Sequence, residues 1–239
     1  MGIRSYRAVV PAVLAAGLLA AACGGSSGSP SGSPSGSSSG SATKTAADIL
    51  PKMEAAVKAA KSVHMAGTAT DGSQKVSFDL SFYGKTDLSG TISEDGGGFT
   101  VLTVGGKSYI EANKAFLKVA KVPASACATI CGKYIELPSA DASQITGSLS
   151  MSSLSQQAFG KLPASTSKDT SEVFVPATIN GQPVLRFSKG GNTIDVARTG
   201  TPYPVMVAAS GTAITFSEWN AVPAPVPPPA SKVLNISQL

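Results

Sequence analysis

The sequence predicts an α+β fold, a helix followed by about eleven short antiparallel strands. Two observations predict it. Apolar residues recur at spacings of three and four up to about Ser62, and after His64 they alternate at a spacing of two in segments punctuated by Gly, Asp and Asn. The chain also carries a Ser- and Ala-rich insert with apolar residues at helical spacing between two groups of strands.

The first segment is a secretion signal over residues 1–22. Arg4 and Arg7 supply a positive start, Ala8 to Ala22 an apolar run, and small residues lead to Cys23. The run falls short of the roughly 20 apolar residues that cross a bilayer core. Leu19-Ala20-Ala21-Ala22-Cys23 resembles a bacterial lipobox, with Ala20 where the usual Leu stands and Leu19 one place early. That resemblance implies a lipidated Cys23, held by two or more acyl chains at the outer face of the cell membrane. Ala20-Ala21-Ala22 also satisfies an ordinary signal peptidase, which would release a free secreted protein.

Residues 23–45 form the anchor and tether. From Gly24 to Ser41 all eighteen residues are Gly, Ser or Pro, with nothing to bury against the entropy of ordering, so the segment is expected to be a flexible coil reaching about 25 Å. Gly36-Ser37-Ser38-Ser39-Gly40 spells the nucleophile-elbow pattern, but that motif needs a strand-to-helix turn, which a low-complexity tether does not provide.

Residues 46–239 are expected to be one domain, long enough for a sizeable core. The chain has 19 Lys and Arg against 14 Asp and Glu; without Arg4 and Arg7 the balance is 17 to 14. The lysines are scattered and not interleaved with aromatics, so no nucleic-acid partner is expected. With Cys23 assigned to the anchor, Cys127 and Cys131 remain as an even pair. An oxidising compartment and a spacing of three intervening residues predict a disulfide that pins a local loop. A zinc site would want a second ligand pair, and the chain has one histidine. No metal or cofactor is expected.

Thr45 to Ser62 reads as an amphipathic helix with Ile49, Met53, Ala56, Val57 and Ala60 on one side. Asp48 is its expected N-cap, with Pro51 in the first turn. The clearest strand is Lys75 to Tyr83, in which Val76, Phe78, Leu80 and Phe82 point one way and polar residues the other. Further strands are expected at 87–94, 99–104, 107–111, 115–119, 133–137, 173–175, 184–188, 193–198, 204–208 and 212–219. The insert, Ser139 to Lys168, is expected to hold one or two short helices over Gln144 to Phe159. Pro223 to Pro229 is a polyproline arm, and Val233 to Leu239 closes the chain.

This order of elements resembles the actinobacterial LppX/LprG-type envelope lipoproteins, which share the half-barrel of the LolA and LolB carriers. The residues that carry the resemblance are the opening helix ending in Ala60-Lys61-Ser62-Val63-His64, the hairpins, Cys127 to Cys131 and the Ser-rich insert. Val184-Leu185-Arg186-Phe187, Pro202-Tyr203-Pro204 and Phe216-Ser217-Glu218-Trp219 with its Pro-rich tail complete it. The resemblance implies a curved antiparallel sheet with helices across its concave face. It also implies an apolar cup that takes a lipid or acyl-chain ligand. Expected lining residues are Phe78, Leu80, Phe82, Leu88, Ile92, Phe99, Val101, Leu185, Phe187, Ile194, Val196, Ile214 and Phe216, facing Met53 and Val57. The chain is expected to be a monomer and to carry such a ligand across the cell envelope. The same residues could instead form an ordinary packed core, which would leave a non-catalytic interaction or sensory module.

No enzyme is expected. His64 is the one histidine, placed by the periodicity at the end of the helix near its last carbonyls. Ser41-Ala42-Thr43-Lys44 and Ser165-Thr166-Ser167-Lys168 match S-x-x-K without the companion motifs of penicillin-binding enzymes. Trp219 is expected to pack the end of a strand.

Overall fold

The fold starts at Thr45, which caps helix α1 (Ala46–Ala59). Its hydroxyl accepts the Asp48 amide at 3.2 Å, and the Asp48 carboxylate accepts the Thr45 amide at 3.1 Å and the Thr45 hydroxyl at 2.7 Å. This reciprocal box satisfies two orphan amides of the first turn. It also corrects the sequence reading: Asp48 is the third helical residue and not the cap, so Pro51 lies inside the helix. The Ala47 carbonyl thereby loses its helical donor. The helix stops at Ala59 rather than Ser62, because Ser62 opens a strand.

The computed structural model describes residues 44–235 apart from 72–73, 95–96, 112, 115–116, 118–121, 141, 144–149, 152–172 and 210. The signal segment, Cys23, the tether with its G-x-S-x-G, the Ser165–Lys168 match and most of the expected insert helices lie outside the described residues. Within the insert, Met151 is helical.

Thirteen strands form one open sheet. They are β1 (Lys44–Thr45), β2 (Ser62–Asp71), β3 (Gln74–Tyr83), β4 (Asp87–Glu94), β5 (Gly97–Val104), β6 (Lys107–Glu111) and β7 (Tyr134–Glu136). After the insert come β8 (Val173–Ile179), β9 (Gln182–Lys189), β10 (Asn192–Ala197), β11 (Pro204–Ala209), β12 (Thr212–Ser217) and β13 (Val233–Asn235). Their spatial order is β1-β8-β9-β10-β11-β12-β2-β3-β4-β5-β6-β7-β13, antiparallel throughout except the final β7–β13 pair, which is parallel.

Ten of the eleven expected strands are present. The eleventh, 115–119, lies outside the described residues except for Leu117, which is helical like Lys114 and whose amide donates to the Asn113 carbonyl at 3.1 Å. A short apolar run cannot declare its period. The sequence reading also missed β2, because its inward positions include Gly67 and Ala69, which add little to the alternation. It ran β12 two residues too far, since Trp219 sits in the turn after Ser217.

One face of this sheet is apolar. Residues from nine consecutive strands, β8 through β5 in spatial order, join five residues of α1 in a single buried cluster. Laid flat, those strands would be about 38 Å across at a spacing of ~4.8 Å, whereas α1 is about 21 Å long and 10–12 Å thick. On this face α1 is joined by Leu137 and Met151, which pack on the same cluster. Two glycines on this face leave no room for a side chain. A Cβ at Gly67 would collide with the Ala213 carbonyl on β12, and one at Gly90, whose φ is 151°, with the Asp79 carbonyl on β3. Only a residue without a side chain lets adjacent backbones approach so closely.

A smaller cluster lies at the β6–β7 edge. Ile110, Leu117 and Ile130 pack with Ile135, Leu234 and the disulfide between Cys127 and Cys131, which bridges the short helix α2 (Cys127–Ile130) to its following residue. The polyproline arm reaches this edge from β12. Along it Val222 is buried and Pro225 and Pro228 are half-buried while the residues between are exposed, the three-residue period of a polyproline II helix. The crossovers β1–α1–β2 and β12–arm–β13 move sideways in the same sense along oppositely running strands. A shared right hand therefore puts them on opposite faces. In agreement, outward-pointing Leu102 and Tyr109, which face each other across β5 and β6, are buried on the face away from α1.

Candidate functional site

The inner face is organised in rows. Strand register aligns Phe187, Ile194, Val207, Ile214, Gly67, Phe78, Ile92 and Phe99 across eight strands. The next row aligns Phe216, Met65, Leu80, Gly90 and Val101. Each row contains one glycine, so each has a gap where no side chain projects from the sheet. Met53 and Val57 of α1 face these rows, and Met53 is fully buried.

All fifteen residues expected to line the cup come together here. Met53, Val57, Phe78, Leu80, Phe82, Leu88, Ile92, Val101, Leu185, Phe187, Ile194, Val196, Ile214 and Phe216 are buried members of the one cluster, and Phe99 is half-buried against it. Sequence reasoning missed Val63, Met65 and Val207 on the same face, and Thr212, which stands two places before Ile214 in the alternating segment of β12. No charged side chain belongs to the cluster.

The upper end of the apolar face, where β2 begins and β12 ends, carries aromatics. Trp219 packs on the cluster, stacks on Tyr203 with ring centres 4.6 Å apart, and donates from its indole nitrogen to the Pro204 carbonyl at 3.0 Å. Asn220 ties this corner to the helix end. Its side-chain oxygen accepts the Lys61 amide at 2.7 Å and its amide group donates to the Tyr203 hydroxyl at 2.7 Å.

Ionisable groups collect on the outer face. Arg186 donates two N–H groups to Asp195 across β9 and β10. Lys107 pairs with Glu136 at 2.9 Å, and this bond holds the ammonium above its usual pKa. Burial, followed by the nearby Glu111 carboxylate, pushes the Tyr134 phenol up. His64 is on this face too, in β2 and not at the helix end as expected. Its Nδ1 is 2.9 Å from Ser217 Oγ and its Nε2 is 2.9 Å from Asp79 Oδ1.

The three residue types of His64, Asp79 and Ser217 are those of a hydrolytic triad, but the setting is not. They lie on adjacent strands of a polar sheet face, Asp79 is 66% exposed, and Ser217 is the last residue of β12 paired directly opposite His64. The arrangement is a clasp across β12, β2 and β3. Among the described residues no cluster of His, Cys, Asp or Glu could hold a metal ion, and no helix is long and apolar enough to cross a membrane.

No protein-family model and no curated protein matches this chain. Among solved structures, the crystal structure of the Mycobacterium tuberculosis lipoprotein LppX is a distant likeness. It has 15% sequence identity and a TM-score of 0.38, over 76% of this chain and 96% of that one. A likeness at that level carries no argument about the site, which rests on the geometry above.

Proposed function

We propose that this chain is a membrane-anchored, outward-facing lipoprotein that holds a lipid or other acyl-chain compound in the cup between sheet and helix and serves to move it across the cell envelope. The observation that supports this reading is the width of the apolar inner face. Nine strands contribute to it, with no side chain at Gly67 and Gly90, and among the described residues α1, Leu137 and Met151 pack on it. A space lined only by apolar groups stays dry and accepts hydrocarbon. The anchor at Cys23, the tether over residues 23–45 and removal of residues 1–22 belong to the same proposal and fit a domain that works close to a membrane.

A second reading is favoured by one observation. Met53, Val101, Ile194 and Val196 have no exposed surface, as in an ordinary solid core; the protein would then be a non-catalytic interaction or sensory module. Uptake of a fluorescent fatty acid by the purified mature chain separates the two. Saturable binding with probe emission shifted to the blue supports the cup, and absence of binding supports the filled core.

A further inference from the structure

On the inner face the fold satisfies its hydroxyls with one exception. Thr103 and Ser108, both without exposed surface, bond each other at 2.9 Å across β5 and β6. Thr212 is 7% exposed, and its hydroxyl is the one buried side-chain polar atom among the described residues with no hydrogen-bond partner. Strand alternation directs it inward, since Thr212, Ile214 and Phe216 are the buried positions of β12 and the latter two belong to the apolar cluster. A buried hydroxyl without a partner costs stability and calls for something to meet it.

Its position says what that is. Thr212 opens β12 at the lower end of the sheet, opposite the corner that carries Trp219, and lies directly across from Ala209. On the same side of the sheet, the lowest pair of β9 and β10 is Lys189 and Asn192. This lowest row is therefore mixed, with polar Lys189, Asn192 and Thr212 beside apolar Ala209 and Val76, where the rows above it are apolar throughout.

Resting on the reading of the cup as a ligand site, we infer that Thr212 is the polar anchor of that site. Its hydroxyl donates to an acceptor oxygen on an otherwise apolar ligand, whose hydrocarbon part extends upward over Ile214 and Phe216. The ligand class is thereby narrowed from hydrocarbon to an acyl compound whose ester or carboxyl oxygen lies at the lower rim. A saturated chain without such an oxygen leaves the hydroxyl unpaired and gains nothing from it.

The test compares the full mature chain with Thr212→Val, which keeps the shape and removes the hydroxyl, by native mass spectrometry after equilibration with methyl decanoate or with tridecane. The expected result is that the substitution weakens methyl decanoate binding about three- to ten-fold, the worth of one neutral hydrogen bond, and leaves tridecane binding unchanged. The ligand-free variant is expected to melt about 2–4 °C higher than the parent, since an unmet hydroxyl has been removed. Equal binding of the ester by both chains would overturn the anchor while leaving the cup intact. Failure of the parent to bind either probe would overturn the cup and the anchor together.

Discussion

Arg186 and Asp195 face each other across the β9–β10 pair, guanidinium to carboxylate at 2.7 and 3.0 Å, and the Asp195 side chain has no exposed surface while that of Arg186 is 37% exposed. The carboxylate lies on the outer side of the sheet between inward-pointing Ile194 and Val196, next to an irregularity where β10 shifts register against β11. A buried carboxylate tolerates that position only with its partner in place. Arg186→Met is therefore expected to destabilise the domain, because it leaves the Asp195 carboxylate buried without its partner. Urea unfolding checks it. Replacing both residues with apolar ones should recover most of the loss.

The capping box makes a pH prediction. The Thr45 hydroxyl and amide hold the Asp48 carboxyl below its ordinary range. A carboxyl depressed in the folded state contributes stability above its unfolded pKa and loses it as pH falls through the folded value. Thr45→Ala should cost about 1 kcal/mol at pH 7, and its difference from the parent should shrink below about pH 4. Thermal melts of both chains between pH 7 and pH 2.5 measure this; a difference independent of pH would remove Asp48 from the account.

A side chain at Gly67 or Gly90 would collide with the backbone of the neighbouring strand, so neither position accepts one. Gly67→Ala and Gly90→Ala should each destabilise by about 3 kcal/mol, as overpacking against fixed backbone does. Gly84, at a turn where an added Cβ meets nothing within 4 Å, is the control. Its φ of 62° still strains alanine, so Gly84→Ala should cost about 1 kcal/mol. Effects at Gly67 and Gly90 no larger than at Gly84 would remove close approach of strands from the account.

Reducing the Cys127–Cys131 bridge should be a local event. A loop this short contributes about 2 kcal/mol in the chain-entropy model, and it braces the smaller cluster around Ile110, Leu117 and Ile130. Amide exchange is expected to accelerate in α2 and β7 while β2 and β3 keep their protection. Equal loss in all four elements would make the bridge essential to the whole sheet.

Most of the sheet was legible because its strands alternate strongly. Val76, Phe78, Leu80 and Phe82 point in, and Ser77, Asp79 and Ser81 point out, as their spacing demands. The failures share a cause, which is that local pattern weakens where tertiary geometry takes over. β2 carries Gly67 and Ala69 inward because neighbouring strands crowd it, and that removes the alternation by which a strand is recognised. His64 looked like a helix end because its bonds to Ser217 and Asp79 span 153 and 15 residues, and no local signal announces them. Thr45 and Asp48 could have been read together, since a Thr followed three residues later by an acceptor is the capping-box pattern. The expected lining residues of the strands were legible from alternation, and Met53 and Val57 from helical spacing. Thr212 was not, because a threonine two places from an isoleucine is noticed only when its hydroxyl proves to be unmet.

The central claim is that the inner face of the sheet holds a hydrophobic ligand, and its most direct measurement is to extract the purified mature chain with organic solvent and weigh what is released. The account predicts an acyl compound approaching one per chain, and reloading of the stripped protein by a fatty acid. A stripped protein that releases nothing, takes up nothing and melts as before would contradict it, leaving the same residues as a solid core.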